Sequence, residues 1–248
     1  MIAQHKLSDR CWLTAPLVDD VIRNRRAIRR FAQRPVPAAM VRDIFDVARH
    51  APSASNIQPW RCHVLTGAAR DQLVADALLA FRTEFQAHGP EYDFYPPELP
   101  QSFLGRRAGF GAKFGAAMKV DQADMAARMA VMARNFMFFD APVGIIFTID
   151  RRLERASFID YGCFLQNVML AARARGLDTC AQQTWAMLHR VIRERLPLGD
   201  EEMVVCGMAM GWAVADAPEN RLGLDKEGVD DFAVFHDEPL GQLLGAAA

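Results

Sequence analysis

The chain has 248 residues, 51% hydrophobic and 24% charged, proportions that exclude a largely disordered chain. With 29 basic and 30 acidic residues its formal charge is -1, which excludes a general nucleic-acid binder built on a basic face. The length favours one large domain, 1–248, over two.

The first ten residues are polar and lack the apolar core of a secretory signal. Residues 19–26 predict a helix start, with Asp19 or Asp20 as N-cap. The next stretch, AIRRFAQRPVP, loses helical period, and Pro35 and Pro37 force an extended path. Helical spacing returns over 37–50, where Met40, Val41, Ile44, Phe45 and Val47 form an apolar stripe. APSASNIQPW, 51–60, is a loop by composition. A strand over 61–66, ended by Gly67, and a helix over 68–87 follow.

Residues 88–121 carry Pro90, Pro96, Pro97 and Pro100 and predict an irregular segment. Aromatics crowd the stretch that begins just before it (Phe81, Phe85, Tyr92, Phe94, Tyr95, Phe103, Phe110, Phe114). A satellite core and an aromatic lid over a planar ligand are both open, since long loops in compact domains are often functional. A helix over 123–139 and a buried strand over 143–149 come next. The helix over 158–175 is apolar nearly all round, which requires a large core or a second subunit, and Gly176 is its cap. A strand over 177–181, a helix over 187–196 stopped by Pro197, and an apolar strand over 203–212 complete the pattern. Helices and strands alternate loosely, which predicts an α+β fold.

The five cysteines, Cys11, Cys62, Cys163, Cys180 and Cys206, form no CxxC and no zinc spacing with histidine. They read as reduced thiols of a cytoplasmic protein. The most apolar stretch, 136–149, is broken by Asp140 and Pro142 and falls short of the ~20 residues that span a bilayer. No dinucleotide fingerprint follows a strand: Gly109, Gly111 and Gly115 in GFGAKFG have the wrong spacing and context. No metal site is predicted.

Chemistry concentrates in two neighbouring motifs. Arg23, Arg25, Arg26, Arg29, Arg30 and Arg34 crowd twelve residues, and packed like charges repel unless an anion sits among them. Arginine suits bidentate phosphate contact; a solvated helix face is the other reading. PSASNIQPW then supplies Ser53, Ser55, Asn56 and Gln58, amides and hydroxyls that can satisfy a flat heterocycle or cap a neighbouring helix.

In this order the motifs resemble the FMN-dependent nitroreductase family. The resemblance rests on RRAIRRF, PVP and APSASNIQPW within 25–60, and continues in 134–150, 164–185 and 208–220. It implies an α+β fold with a mixed central sheet flanked by helices, in an intertwined homodimer with FMN at the subunit interface. It also implies a variable lid over 81–121 and a C-terminal arm, 220–248, laid on the partner. By motif position, Arg25, Arg26 and Ala27 meet the phosphate and ribityl chain, although Ala27 lacks the hydroxyl usual there. Arg29 lies by the pyrimidine edge, where a cation stabilises negative charge on reduced flavin. Pro52, Ser53 and Asn56 lie against the isoalloxazine from the other subunit. Ala181, Gln182, Gln183 and Thr184 cover its face and place a backbone N–H at N5. Asn135 falls near the ribityl chain. Lys226 serves the phosphate, while Gly223 stands where relatives carry a base, with Arg221 as a substitute.

The implied activity is NAD(P)H oxidation coupled to reduction of a small nitroaromatic or quinone-like acceptor. The flavin carries the chemistry, and no protein side chain is assigned a catalytic role. Without a second nucleotide site the two substrates take turns, which predicts ping-pong kinetics. Reductive dehalogenation, enone reduction or flavin fragmentation on the same fold, and a flavin-binding module without turnover, are the alternatives. Neither a nucleic acid nor a membrane is an expected partner.

Overall fold

The computed structural model describes residues 11–121 and 123–236. Strands form where β-branched and apolar residues run without helical period. They are β1 (Arg61–Thr66), β2 (Val143–Asp150), β3 (Asp178–Gln182) and β4 (Glu202–Gly211). They make one sheet in the order β1-β2-β4-β3 with each neighbouring pair antiparallel. The sheet is mixed through a parallel bridge between Ala27 and Thr179, where the N-terminal segment joins the outer edge of β3.

Helices cover both faces. On one, α3 (Gly67–Thr83) and α7 (His189–Arg195) pack with Phe136, Phe138 and Trp185; on the other lie α2 (Ala38–Ala48) and α6 (Arg155–Arg173). In β2, Ile146 faces the first layer, and Ile145 and Phe147 the second, as the two-residue period of a strand requires. Because both faces are covered, the strand is an unbroken apolar run rather than an alternating one. On α6 the buried side carries Tyr161, Phe164, Val168 and Ala172, whereas Leu165 and Met169 are half-buried and Ile159 is exposed. Among the described residues no helix is long and apolar enough to cross a membrane.

Three expectations fail locally. The first helix, α1, spans Cys11–Asn24, so Asp19 and Asp20 lie inside it and cap nothing. Asp19 instead faces Arg23 one turn on, at 3.9 Å. The segment read as irregular holds an 18-residue helix, α4 (Gln101–Met118). Its prolines all precede the helix, Pro100 standing at the N-cap, and its glycines, though weak helix formers, do not break it. The helix expected over 123–139 ends early, as α5 (Met125–Ala133). The chain then passes through left-handed backbone at Phe138, Phe139 and Asp140 (φ 49°, 52° and 69°). Three such non-glycine residues in succession persist only where the surroundings over-determine them.

Two glycines supply part of that determination. Phe138 lies flat on Trp185, ring centroids 4.3 Å apart, over strand positions with no side chain. A Cβ at Gly144 would come within 2.5 Å of the Phe138 ring, and one at Gly207 would overlap Trp185. Gly207→Ala is therefore expected to destabilise the fold by about 1–3 kcal/mol. Urea unfolding measures this, and an unchanged midpoint would show that Trp185 is not seated on that glycine.

Candidate functional site

From Arg25 to Arg34 the chain has no regular structure of its own, so its backbone groups are satisfied by other elements. The Ile28 N–H donates to Thr179 O on β3 (3.0 Å), the Phe31 N–H to Phe139 O (3.3 Å) and the Ala32 N–H to Trp212 O (2.8 Å). Asn220 completes the hold. Its Oδ1 accepts from the N–H groups of Arg29 (2.7 Å) and Arg30 (3.1 Å), and its Nδ2 donates to Arg30 O (2.8 Å) and Val214 O (2.9 Å).

Beside Asn220, the buried Glu219 carboxylate accepts from Arg30 Nε (3.1 Å) and Arg134 Nη1 (3.0 Å). The same two arginines reach Asp140 at 3.3 Å. Burial pushes the Glu219 carboxyl up, but its own backbone N–H and the Arg134 and Arg30 cations outweigh that and hold it below the usual range.

These partners correct the reading of the arginine cluster as one phosphate site. Arg30 is paired with two carboxylates, Arg34 stacks on Trp212 (4.1 Å to the ring centroid) and Arg23 faces Asp19. The neutralising acids of Arg30 lie 110 and 189 residues away in sequence, beyond the reach of any local pattern. Arg25, Arg26 and Arg29 remain without a carboxylate partner among the described residues.

Those three flank the bridge from Ala27 to the outer edge of β3. Arg25 and Arg29 are both near enough to Cys180 to favour its thiolate, although burial dominates and pushes that thiol up to about 11. The Arg29 guanidinium covers the rings of Phe110 and Phe114 on α4, 5.3 and 5.2 Å from their centroids. Stacking of this kind uses the guanidinium face and leaves N–H edges to donate; one reaches Ala27 O at 3.3 Å. Beyond Thr179 the same edge continues to Ala181, whose main-chain groups point outward two residues on and whose side chain is exposed.

Gln182 follows, buried. Its Nε2 donates to Asn135 O (2.7 Å), while its Oε1 and the Thr179 hydroxyl are buried with no hydrogen-bond partner among the described residues. Buried acceptors of this kind are costly unless a donor arrives. Gln183 is exposed and Thr184 half-buried, at the start of the six-residue 3-10 helix after β3. Asn135 is half-buried and donates to Met132 O at 3.1 Å. The structure thus gathers Arg25, Ala27, Arg29, Asn135, Ala181 and Gln182 around one edge, with Arg26 exposed beside it.

Other expected residues lie elsewhere in the chain. Pro52, Ser53 and Asn56 precede β1, which is separated from β3 by three strand spacings, ~14 Å. Their loop is pinned to α6 by a hydrogen bond from Ala54 N–H to Asp160 (3.2 Å) and closed by one from Gln58 N–H to Ser53 Oγ (3.1 Å). Lys226 is exposed on a segment tied to α4 by a Lys113–Asp225 pair (2.7 Å) and an Arg106–Glu227 pair. Arg221 does not replace a base at Gly223, because it is engaged with Asp216 and Ala215 O. Among residues that sequence reasoning missed, Arg134 and Glu219 stand out; only their places in 134–150 and 208–220, stretches that carried the resemblance, marked them.

The family model described as Nitroreductase family matches residues 22–212. The chain belongs to that family. It is 49% identical to the nitrobenzene nitroreductase of Ectopseudomonas oleovorans over 91% of this chain and 99% of the relative. With the chloronitrobenzene nitroreductase of Comamonas testosteroni it shares 47% over the same fractions. Among solved structures, the FMN and NADPH-dependent nitroreductase NfnB of Sphigopyxis sp. strain HMH superposes with a TM-score of 0.85 at 35% identity, covering 88% of this chain and 98% of that one. The shared fold places the β3 edge and the 25–34 segment within the part of the chain that defines the family.

The Glu219 pair gives a pH prediction. A carboxyl held below its usual range contributes stability that is present above that range and lost as pH falls through its folded value. Glu219→Gln is expected to cost about 1–3 kcal/mol at pH 7, since it leaves the half-buried Arg134 with one carboxylate partner instead of two. The gap from wild type should narrow as pH falls below ~4. Denaturant unfolding across that range measures it, and a gap independent of pH would refute the ion-pair role.

Proposed function

We propose that this chain is an FMN-dependent NAD(P)H oxidoreductase that reduces small nitroaromatic or quinone-like acceptors. The observation that carries the reading is the β3 edge itself. It offers arginines without acid partners, outward main-chain groups and buried unsatisfied oxygens side by side. Each answers a part of FMN: cations for the phosphate, an outward N–H for the flavin ring, and Gln182 Oε1 and Thr179 Oγ1 for donors from the ribityl chain or ring. The relatives named for nitroarenes and the NfnB structure support the same cofactor and acceptor.

In this reading Arg25 and Arg26 hold the phosphate, and Ala27 allows close approach without adding a hydroxyl. Gln182 and Asn135, already joined to each other, face the ribityl chain. Arg29, fixed by Phe110 and Phe114, presents its N–H edge to the pyrimidine side, where a cation favours the anionic reduced ring. Ala181, Gln182, Gln183 and Thr184 line the flavin face and set a backbone N–H at N5. Bound FMN supplies the two-electron carrier, so that NAD(P)H + H⁺ + ArNO₂ gives NAD(P)⁺ + ArNO + H₂O. The two substrates then alternate over one flavin.

Pro52, Ser53 and Asn56 enter the site from a second copy in this reading, because one chain keeps them apart from the β3 edge, and Lys226 serves the phosphate from the segment tied to α4. A homodimer is supported by two surfaces. Phe232, Val234 and Phe235 are largely exposed on the 220–248 arm, whose residues 237–248 lie outside the described part. Beside the free edge of β1 runs a groove of about 990 Å³ lined by apolar residues such as Val36, Val41 and Phe45 and by charged ones such as Arg42, Arg49 and Arg70. The whole of 1–248 acts as one domain, with 81–121 as its lid. The free thiols Cys62, Cys163, Cys180 and Cys206 suit the reducing cytoplasm. With a formal charge of -1, no nucleic-acid partner enters this reading.

The purified protein is expected to be yellow, to release FMN on denaturation and to bleach with NADPH under anaerobic conditions, with parallel double-reciprocal plots against a nitroarene. A colourless protein that takes up no FMN would overturn the reading. Arg25→Ala should raise the FMN dissociation constant about tenfold or more, the loss expected for a charge-assisted phosphate contact. Flavin fluorescence quenching measures it.

A further inference from the structure

Between α4 and α5 lies a cavity of about 340 Å³, walled by Phe114, Met118, Met125, Met129, Met132 and Asn135. Two of its walls belong also to the β3-edge site. The Phe114 ring carries the Arg29 guanidinium, 5.2 Å from its centroid. The main-chain oxygen of Asn135 accepts the Gln182 amide at 2.7 Å. A molecule in the cavity therefore touches one residue assigned to FMN, Asn135, and lies one side chain from another, Arg29.

The lining indicates what fits. The volume is at the small end of ligand pockets, enough for one aromatic ring and too little for a dinucleotide. Methionine side chains are unbranched and polarisable, adapt to a guest's outline, and make favourable sulfur contacts at ring edges. Arg128 is the one charged residue of the lining, and among the described residues it has no carboxylate partner. At Gly111, on the α4 wall, an added Cβ would meet nothing within 4 Å.

We infer that this cavity is the acceptor pocket, that it takes single-ring nitroarenes, and that Arg128 makes it prefer a ring bearing an anionic substituent over a neutral one. The inference rests on the flavin nitroreductase reading and names where and how its acceptor is chosen.

Calorimetric titration of the oxidised holoenzyme, without NAD(P)H, tests it with 4-nitrobenzoate and nitrobenzene as probes. The wild type should bind 4-nitrobenzoate more tightly. Arg128→Ala should weaken 4-nitrobenzoate about fivefold, as an exposed ion pair does, and move nitrobenzene by less than twofold. Gly111→Phe, which fills the cavity from a position with room for a side chain, should weaken both probes by about tenfold or more. Met129→Trp should do the same and stands in if Gly111→Phe folds poorly. Wild-type affinity for both probes in the filled variants would overturn the pocket; equal weakening of both by Arg128→Ala would overturn the selectivity. The titration involves no turnover, so a protein that failed to bleach with NADPH would refute the flavin reading and leave the binding contrast to decide the pocket.

Discussion

The path of residues 25–34 depends on one buried charge, the Glu219 carboxylate. This segment has neither helix nor strand to define it, yet it carries the arginines around which the site is built. Glu219 holds Arg30 and Arg134, these two hold Asp140, and Asn220 fixes the backbone of Arg29 and Arg30. A buried ion pair contributes little net stability over an apolar replacement, but losing one partner is expensive. Its effect here is specificity. It neutralises Arg30 and leaves Arg25, Arg26 and Arg29 facing the β3 edge.

The strained turn at Phe138–Asp140 belongs to the same arrangement. Left-handed backbone there brings Phe139 O to the Phe31 N–H and the Asp140 carboxylate to Arg30 and Arg134. Phe138 is seated on Gly144 and stacked on Trp185, so core packing maintains a conformation that the residues would not adopt alone. Core, turn and site segment are thus joined through consecutive residues. Helix α4 is attached differently. Its ties to the tail, Lys113–Asp225 and Arg106–Glu227, are exposed, and such pairs hold weakly and are screened by salt.

Much of this was legible in the sequence where a period is strong. The runs VGIIFTI and MVVCGMAMG sit in the central strands, and the stripe from Met40 to Val47 marks α2. Gly67 and Gly176 stand at the boundaries they indicated, both with positive φ. Helix α4 was hidden because its prolines and glycines weigh against helix in any local window, although Pro100 merely begins it. The left-handed turn left no signal, since Phe-Phe-Asp is not a sequence that favours it. RRAIRRF marked the segment that lies along β3 but could not show which of its arginines were already paired, because the acids of Arg30 stand 110 and 189 residues away. Nor could it show that Ser53 and Asn56 lie beyond the opposite edge of the sheet from Ala181.

That long-range pairing also sets an order of events during synthesis. Asn220 and Arg29 are separated by 191 residues, so the loop they close spans most of the chain. Closure over such a span comes late and slowly, after local helices and hairpins have formed. Until Glu219 and Asn220 have left the ribosome, the arginine segment lacks the bonds that fix Arg29 and Arg30 to the tail. A nascent chain stopped short of residue 220 would therefore carry a nearly complete sheet with an unformed rim, exposing both a cluster of cations and an open strand edge to whatever else is being made nearby.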